Sequence, residues 1–122
     1  MNIKVIDITV LTNLCITRSR GKEAATKLSR LLNNNHIEID LSKAELVSLS
    51  FLDELVCSYR DAVDKGIITF ITSDKNTETK LSRISTVRSI SIHCRGIENS
   101  IYFTVPIEKY LMPDPVFSNS KD

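Results

Sequence analysis

The sequence predicts an α/β fold, a small mixed or mainly parallel sheet covered by helices. Two observations carry that expectation. Short β-branched runs of period 2 alternate along the chain with stretches of helical period. Each strand-helix-strand step is also near the length of a right-handed crossover unit. Helices lying on a sheet are the natural packing for that order.

Taken in order, Ile3, Val5, Ile8, Val10 and Leu11 predict a first strand, one face more apolar than the other. "LTNLCITRSRG" follows, with turn residues and a cluster of positive charge. From about Ser19 the pattern turns helical. Ala24, Ala25, Leu28, Leu31 and Leu32 share one helix face, and Asn33 to Asn35 stop it, since asparagine tolerates the left-handed conformation. "HIEIDLS" sets Ile37, Ile39 and Leu41 against Glu38 and Asp40, the period of a strand. The next helix begins near Ser48 or Ser50. It lays Leu52, Leu55, Val56, Tyr59, Ala62 and Val63 on one face and closes at Gly66. "IITFITS", residues 67–73, is a strand buried on both faces. Leu81, Ile84 and Val87 repeat every three residues, while "SISIHC" alternates. The expectation is a helix from about Asn76 to Ile92, and "SIYFTVPI" supplies a late strand. One domain over residues 1–111 results, followed by a loose tail at 112–122, polar and interrupted by Pro113 and Pro115.

The totals narrow the function. A chain of 122 residues, 42% hydrophobic and 25% charged, can bury a core without staples. A formal net charge of +1 disfavours nucleic acid as a partner. Cys15, Cys57 and Cys94 are widely spaced and odd in number, which fits a reducing cytoplasm better than a disulfide framework. "MNIKVIDITV" lacks the apolar core and cleavage site of a signal peptide, and apolar runs fall far short of the roughly 20 residues that span a bilayer. The reading is a soluble cytoplasmic protein with no membrane partner.

No assembled chemistry stands out. His36 and His93 fall in no pattern that predicts a pocket shared with Ser or Cys, which leaves a nucleophile without a base. Neither CxxC spacing nor HExxH occurs, so no metal is expected, and Cys57 reads as a small buried hydrophobe. Three glycines make no phosphate-cradling loop. The expectation is a protein that is not an enzyme and carries no cofactor.

Two features remain. In "TRSRGK", Arg18, Arg20 and Lys22 crowd the start of a helix, against its dipole. Solvated side chains with Ser19 as N-cap explain this; a bound anion at Arg18, Ser19 and Arg20 would turn the repulsion into attraction. In "IDLSKAELVSLSFLDEL", Ser50 and Asp53 match a capping box, although Ser48 could cap instead. A serine at a helix N-terminus is also a favourable place for a phosphate, whose charge the dipole stabilises. Beyond these, residues 74–95 are mainly basic and the second helix mainly acidic, an asymmetry able to orient a partner.

"IEIDLSKAELVSLSFLDELV" resembles the core of STAS domains, the fold of bacterial anti-sigma factor antagonists. There a strand ending Asp-Leu-Ser leads through a short turn to a helix opening Asp-Ser-Ser-Gly-Leu. Counting from Asp40, Ser50 falls where that family carries its phosphorylatable serine. Ser48, Leu49 and Phe51 stand in place of the aspartate, first serine and glycine. "TRSRGKEAATKL" and the later stretch together are similar to a STAS-like family of unknown function. The matching positions include Arg18, Ser19, Asp40, Ser48, Ser50, Phe51, Asp53, Glu54 and Leu55, and the likeness covers roughly residues 15–73. The resemblance implies a regulatory protein-interaction module. Its partner-binding surface would be Ser48, Ser50, Phe51, Asp53 and Glu54, its switch phosphorylation of Ser50, and its partner a histidine-kinase-like ATPase or serine kinase. The alternative is a nucleotide- or anion-sensing STAS-like regulator using Arg18 and Arg20.

Overall fold

The computed structural model describes residues 3–33 and 35–105. Strand β1 (Ile3–Asp7) is shorter than its apolar pattern predicts. Asp7 ends it by accepting the Thr9 N–H at 2.9 Å, which starts the single-turn helix α1 (Ile8–Leu11). The expected strand to Leu11 is therefore corrected: Ile8 and Leu11 are buried as an i, i+3 pair. Helix α2 (Arg18–Leu28) is capped by Thr17, whose hydroxyl accepts the Arg20 N–H at 3.1 Å. Ser19, the expected cap, is instead an exposed residue of the first turn. α2 also stops before the asparagines, leaving Leu31 and Leu32 partly buried beyond its end.

β2 (His36–Asp40) follows the expected alternation, with Ile37 and Ile39 sealed in the core. The single helix expected next is two, α3 (Leu49–Ser58) and α4 (Arg60–Asp64). Tyr59 breaks it at φ −131° and ψ 44°, and its phenol donates to the Ala25 carbonyl of α2. Gly66, at φ 76°, closes α4. Its N–H and that of Ile67 return to the Val63 and Ala62 carbonyls, the Schellman arrangement. β3 (Ile68–Ile71) is buried at every residue, as a central parallel strand should be.

α5 (Lys75–Arg88), capped by Asp74, is shorter than the helix expected to reach Ile92. Ser89 takes the left-handed conformation at φ 56°, and the chain re-enters the sheet as β4 (Ile92–Arg95). Alternation in "SISIHC" is thus a strand signal: Ile90, Ile92 and Cys94 are buried. β5 (Phe103–Val105) ends the described chain. The expected domain boundary at 111 and the tail at 112–122 lie outside the described residues.

The five strands lie in the order β1-β2-β3-β4-β5; the first four are parallel, and β5 is antiparallel to β4. The expected α/β class with a mixed, mainly parallel sheet is what forms. Sequential parallel strands joined by right-handed crossovers put every helix on one face. Burial agrees, for Ile37, Ile39, Ile68, Phe70, Ile92 and Cys94 all face the helices and are sealed. The opposite face is open. Ile3 and Val5 are exposed there, and Arg95 lies across β3 to hold Glu38 at 2.9 and 3.1 Å. Among the described residues, no helix is long and apolar enough to cross a membrane.

Candidate functional site

The chain between β2 and α3 is pinned to the chain before α2. Cys15 and Val47 form a parallel bridge, and the Ser48 N–H donates to the Cys15 carbonyl at 2.9 Å. The Ser48 hydroxyl donates to the Ile16 carbonyl and accepts the Phe51 N–H at 3.1 Å. Ser48 is therefore the N-cap of α3, and the Ser50–Asp53 capping box does not form. Ser50 sits one position inside the helix with its side chain exposed.

The same tether brings the first turns of α2 and α3 together, and Gly21 allows a close crossing. A Cβ there would meet the Phe51 carbonyl oxygen at 2.8 Å and Glu54 Cβ at 2.9 Å. One turn before Gly21, Arg18 reaches Asp53 at 2.9 Å and Glu54 at 3.7 Å. From the far end of α5, Arg88 grips the same carboxylate twice, Nε to Oδ1 at 3.0 Å and Nη2 to Oδ2 at 2.7 Å. The Asp53 side chain is only 8% exposed. The Arg88 hydrogen bonds, then those of Arg18, outweigh burial and lower its carboxyl to a pKa of about 2. Arg88 is correspondingly raised by Asp53.

These positions revise the expected contact set. Phe51 is wholly buried, so its bulk in place of the resembled glycine points into the core and leaves the surface beside Ser50 clear. Asp53 is buried and committed to two arginines. Neither Phe51 nor Asp53 offers a side-chain surface to a partner; both hold α3 in place. Ser50 is exposed and Glu54 half-buried. The Arg18, Ser19 and Arg20 set also separates: Arg20 pairs with Glu23 at 3.0 Å, while Arg18 turns to α3. Cys57, expected in the core, is half-buried, its thiol 3.6 Å from Asp53 Oδ1.

Beside Ser50 is a hollow of about 200 Å³, which Ser50 and Asp53 share with Arg18, Arg83 and Arg88. Leu49, Ile84 and Val87 supply its apolar wall. Arg83 and Arg88 come from α5, a contribution the sequence does not reveal. Val87 of that wall is exposed, while the exposed Leu14, Ile16 and Leu46 line a separate hollow of about 200 Å³ on the chain leading into α2 and α3.

Other hollows are less persuasive. One, about 500 Å³, lies past the ends of β2 and β3. Three of its polar groups are already committed: Asp74 caps α5, Thr72 accepts the Asp74 N–H, and Lys80 donates to the Val47 carbonyl. His36 and His93 line one hollow of about 320 Å³ on the open sheet face with Lys65, Thr69 and Tyr102, a meeting that sequence spacing hides. Among the described residues, no group of three or more His, Cys, Asp or Glu could hold a metal. Comparison with protein-family models, with curated proteins and with solved structures returns no match to this chain.

Proposed function

We propose that this protein is a non-catalytic regulatory module that binds a protein partner through the start of α3, in the manner of the anti-sigma factor antagonists its central segment resembles. Phosphorylation of Ser50 switches the contact, and the partner is a histidine-kinase-like ATPase or serine kinase in the cytoplasm. One observation carries the reading: Ser50 is exposed at the second position of α3, in a hollow whose wall includes Leu49, Ile84 and the exposed Val87. An apolar wall beside a hydroxyl suits a protein interface. A phosphate there adds about −1.5 to −2 charges and alters that interface sharply. The reading as a non-catalyst rests on the same hollow. Asp53, the carboxylate among its lining residues, is held by two arginines and cannot serve Ser50 as a base.

A photo-crosslinking residue placed at Val87, beside Ser50 in the hollow, with one at Arg30 as control, tests this in the cells that make the protein. A discrete crosslinked protein from position 87 alone, lost when position 50 carries phosphoserine, supports the reading. No product, or the same products from both positions, sinks it.

The sensor alternative, through Arg18 and Arg20, has less support. Arg20 is engaged with Glu23 and faces away from the Ser50 hollow, which Arg18 lines without it.

A further inference from the structure

We propose that the hollow between the first turn of α3 and the last turns of α5 is a receptor for a phosphate monoester, held by Arg18, Arg83 and Arg88. This rests on the reading of the Ser50 surface as the working surface and names the chemistry it recognises.

Charge is the first argument. Three guanidinium groups border a hollow of about 200 Å³. Set against Asp53 and against Glu54, which lies 3.7 Å from Arg18, they leave a formal excess of one positive charge, which attracts the charge of about −1.5 to −2 on a phosphate monoester. Structural ion pairing alone requires no third arginine here. Asp53 takes two N–H groups from Arg88 and one from Arg18. Each guanidinium has five, so donors are left over on both. Arg83 is exposed, and none of its side-chain donors has a hydrogen bond or ion pair among the described residues.

Backbone donors add to the side chains. The Ser48 hydroxyl takes the Phe51 N–H, and the Ser48 carbonyl takes that of Leu52. The N–H groups of Leu49 and Ser50 have no acceptor among the described residues. They open the positive end of a ten-residue helix whose first turn holds no acidic residue. Arginine forks match phosphate oxygens in a way that a carboxylate-only pairing does not exhaust.

The phosphate has two sources with one chemistry, Ser50 itself once phosphorylated or a phosphate brought by another molecule. Arginine Nε–Hε resonances of the whole chain distinguish them, with inorganic phosphate as probe at constant ionic strength. In the unmodified protein, Arg83 and Arg88 should shift together and saturate, with a Kd of about 1–10 mM, while Arg30 and Arg95 stay still. Arg83→Gln should weaken that response roughly tenfold without changing the melting temperature, because the Arg83 side chain makes no hydrogen bond or ion pair among the described residues. A phosphoserine installed at position 50 gives the second arm. If Arg83 then starts at its bound position and ignores added phosphate, the source is Ser50; if it still titrates, the source is external. Shifts that never saturate, that spread equally to Arg30, or that survive Arg83→Gln overturn the proposal. No partner protein enters this experiment, so its failure is separable from failure of the crosslinking test.

Discussion

Asp53 and Arg88 stand 35 residues apart in sequence, yet the guanidinium of one closes on the carboxylate of the other through two hydrogen bonds, at 2.7 and 3.0 Å. Arg18 completes the cluster from a third helix. Three helices covering one face of a sheet thus meet at a single carboxylate, a short step along α3 from the exposed Ser50. The neighbouring Arg60 donates to the Arg88 carbonyl and so holds the end of α5 from the same side.

That cluster makes stability acid-sensitive. Asp53 ionises at about 2 in the folded chain, against an ordinary 3.8. The folded state therefore binds fewer protons than the unfolded state between those values. Its contribution is complete above about pH 4, declines as pH falls, and is gone below about pH 2. The gap corresponds to about 2 kcal/mol as an upper figure, since water screens the half-exposed arginines. Urea unfolding at steps from pH 5 to pH 2 should show that loss, and Asp53→Asn should flatten its share. An equally steep fall in the Asn variant would remove Asp53 as the cause.

Ser48 and Ser50 should differ sharply when each becomes alanine. Ser48 caps α3 and also ties it to Ile16, so Ser48→Ala should cost about 1–2 kcal/mol. Ser50 is exposed and makes no such bond, so Ser50→Ala should stay within about 0.5 kcal/mol. Chemical denaturation measures both. The opposite ranking would make Ser50 the cap and bury the case for it as a switch.

Gly21 is needed for closeness rather than for an unusual backbone angle. Alanine improves helix propensity by about 1 kcal/mol, but its Cβ would press on the Phe51 carbonyl of α3. Separating two packed helices costs about 1–3 kcal/mol. Gly21→Ala should therefore destabilise on balance and weaken the Arg18–Asp53 contact. A rise in melting temperature would show that α2 yields without strain.

What the sequence makes legible is local. β2 and β3 announce themselves through β-branched residues in short runs, and the start of α3 through serines ahead of an apolar stripe. Ile8 to Leu11 misleads, because four apolar-rich residues fit a helical turn and a strand equally; only Asp7 capping Thr9 decides. The end of α5 misleads because a serine, not a glycine or asparagine, takes the left-handed turn at Ser89. Thr17 rather than Ser19 caps α2, since both are competent and tertiary position chooses. The site divides in the same way. Ser48 and Ser50 are readable from their spacing. Arg83 and Arg88 are not, because the approach of α5 to the start of α3 leaves no local pattern.

The open sheet face supplies the last prediction. Arg95 on β4 spans β3 to grip Glu38 on β2 with two hydrogen bonds, and donates onward to the Gly96 and Asn99 carbonyls. Glu38 is 5% exposed, and Arg95 is the cation paired with it. Arg95→Met should leave the carboxylate stranded and cost about 3 kcal/mol. Replacing both residues, as Glu38→Leu with Arg95→Met, removes the stranded charge and should recover most of the loss. A double-mutant cycle by urea unfolding reads the difference directly. Strictly additive losses would mean that Arg95 works through the Gly96 and Asn99 carbonyls, bracing the turn into β5, and that Glu38 finds enough water at the open face to stand alone.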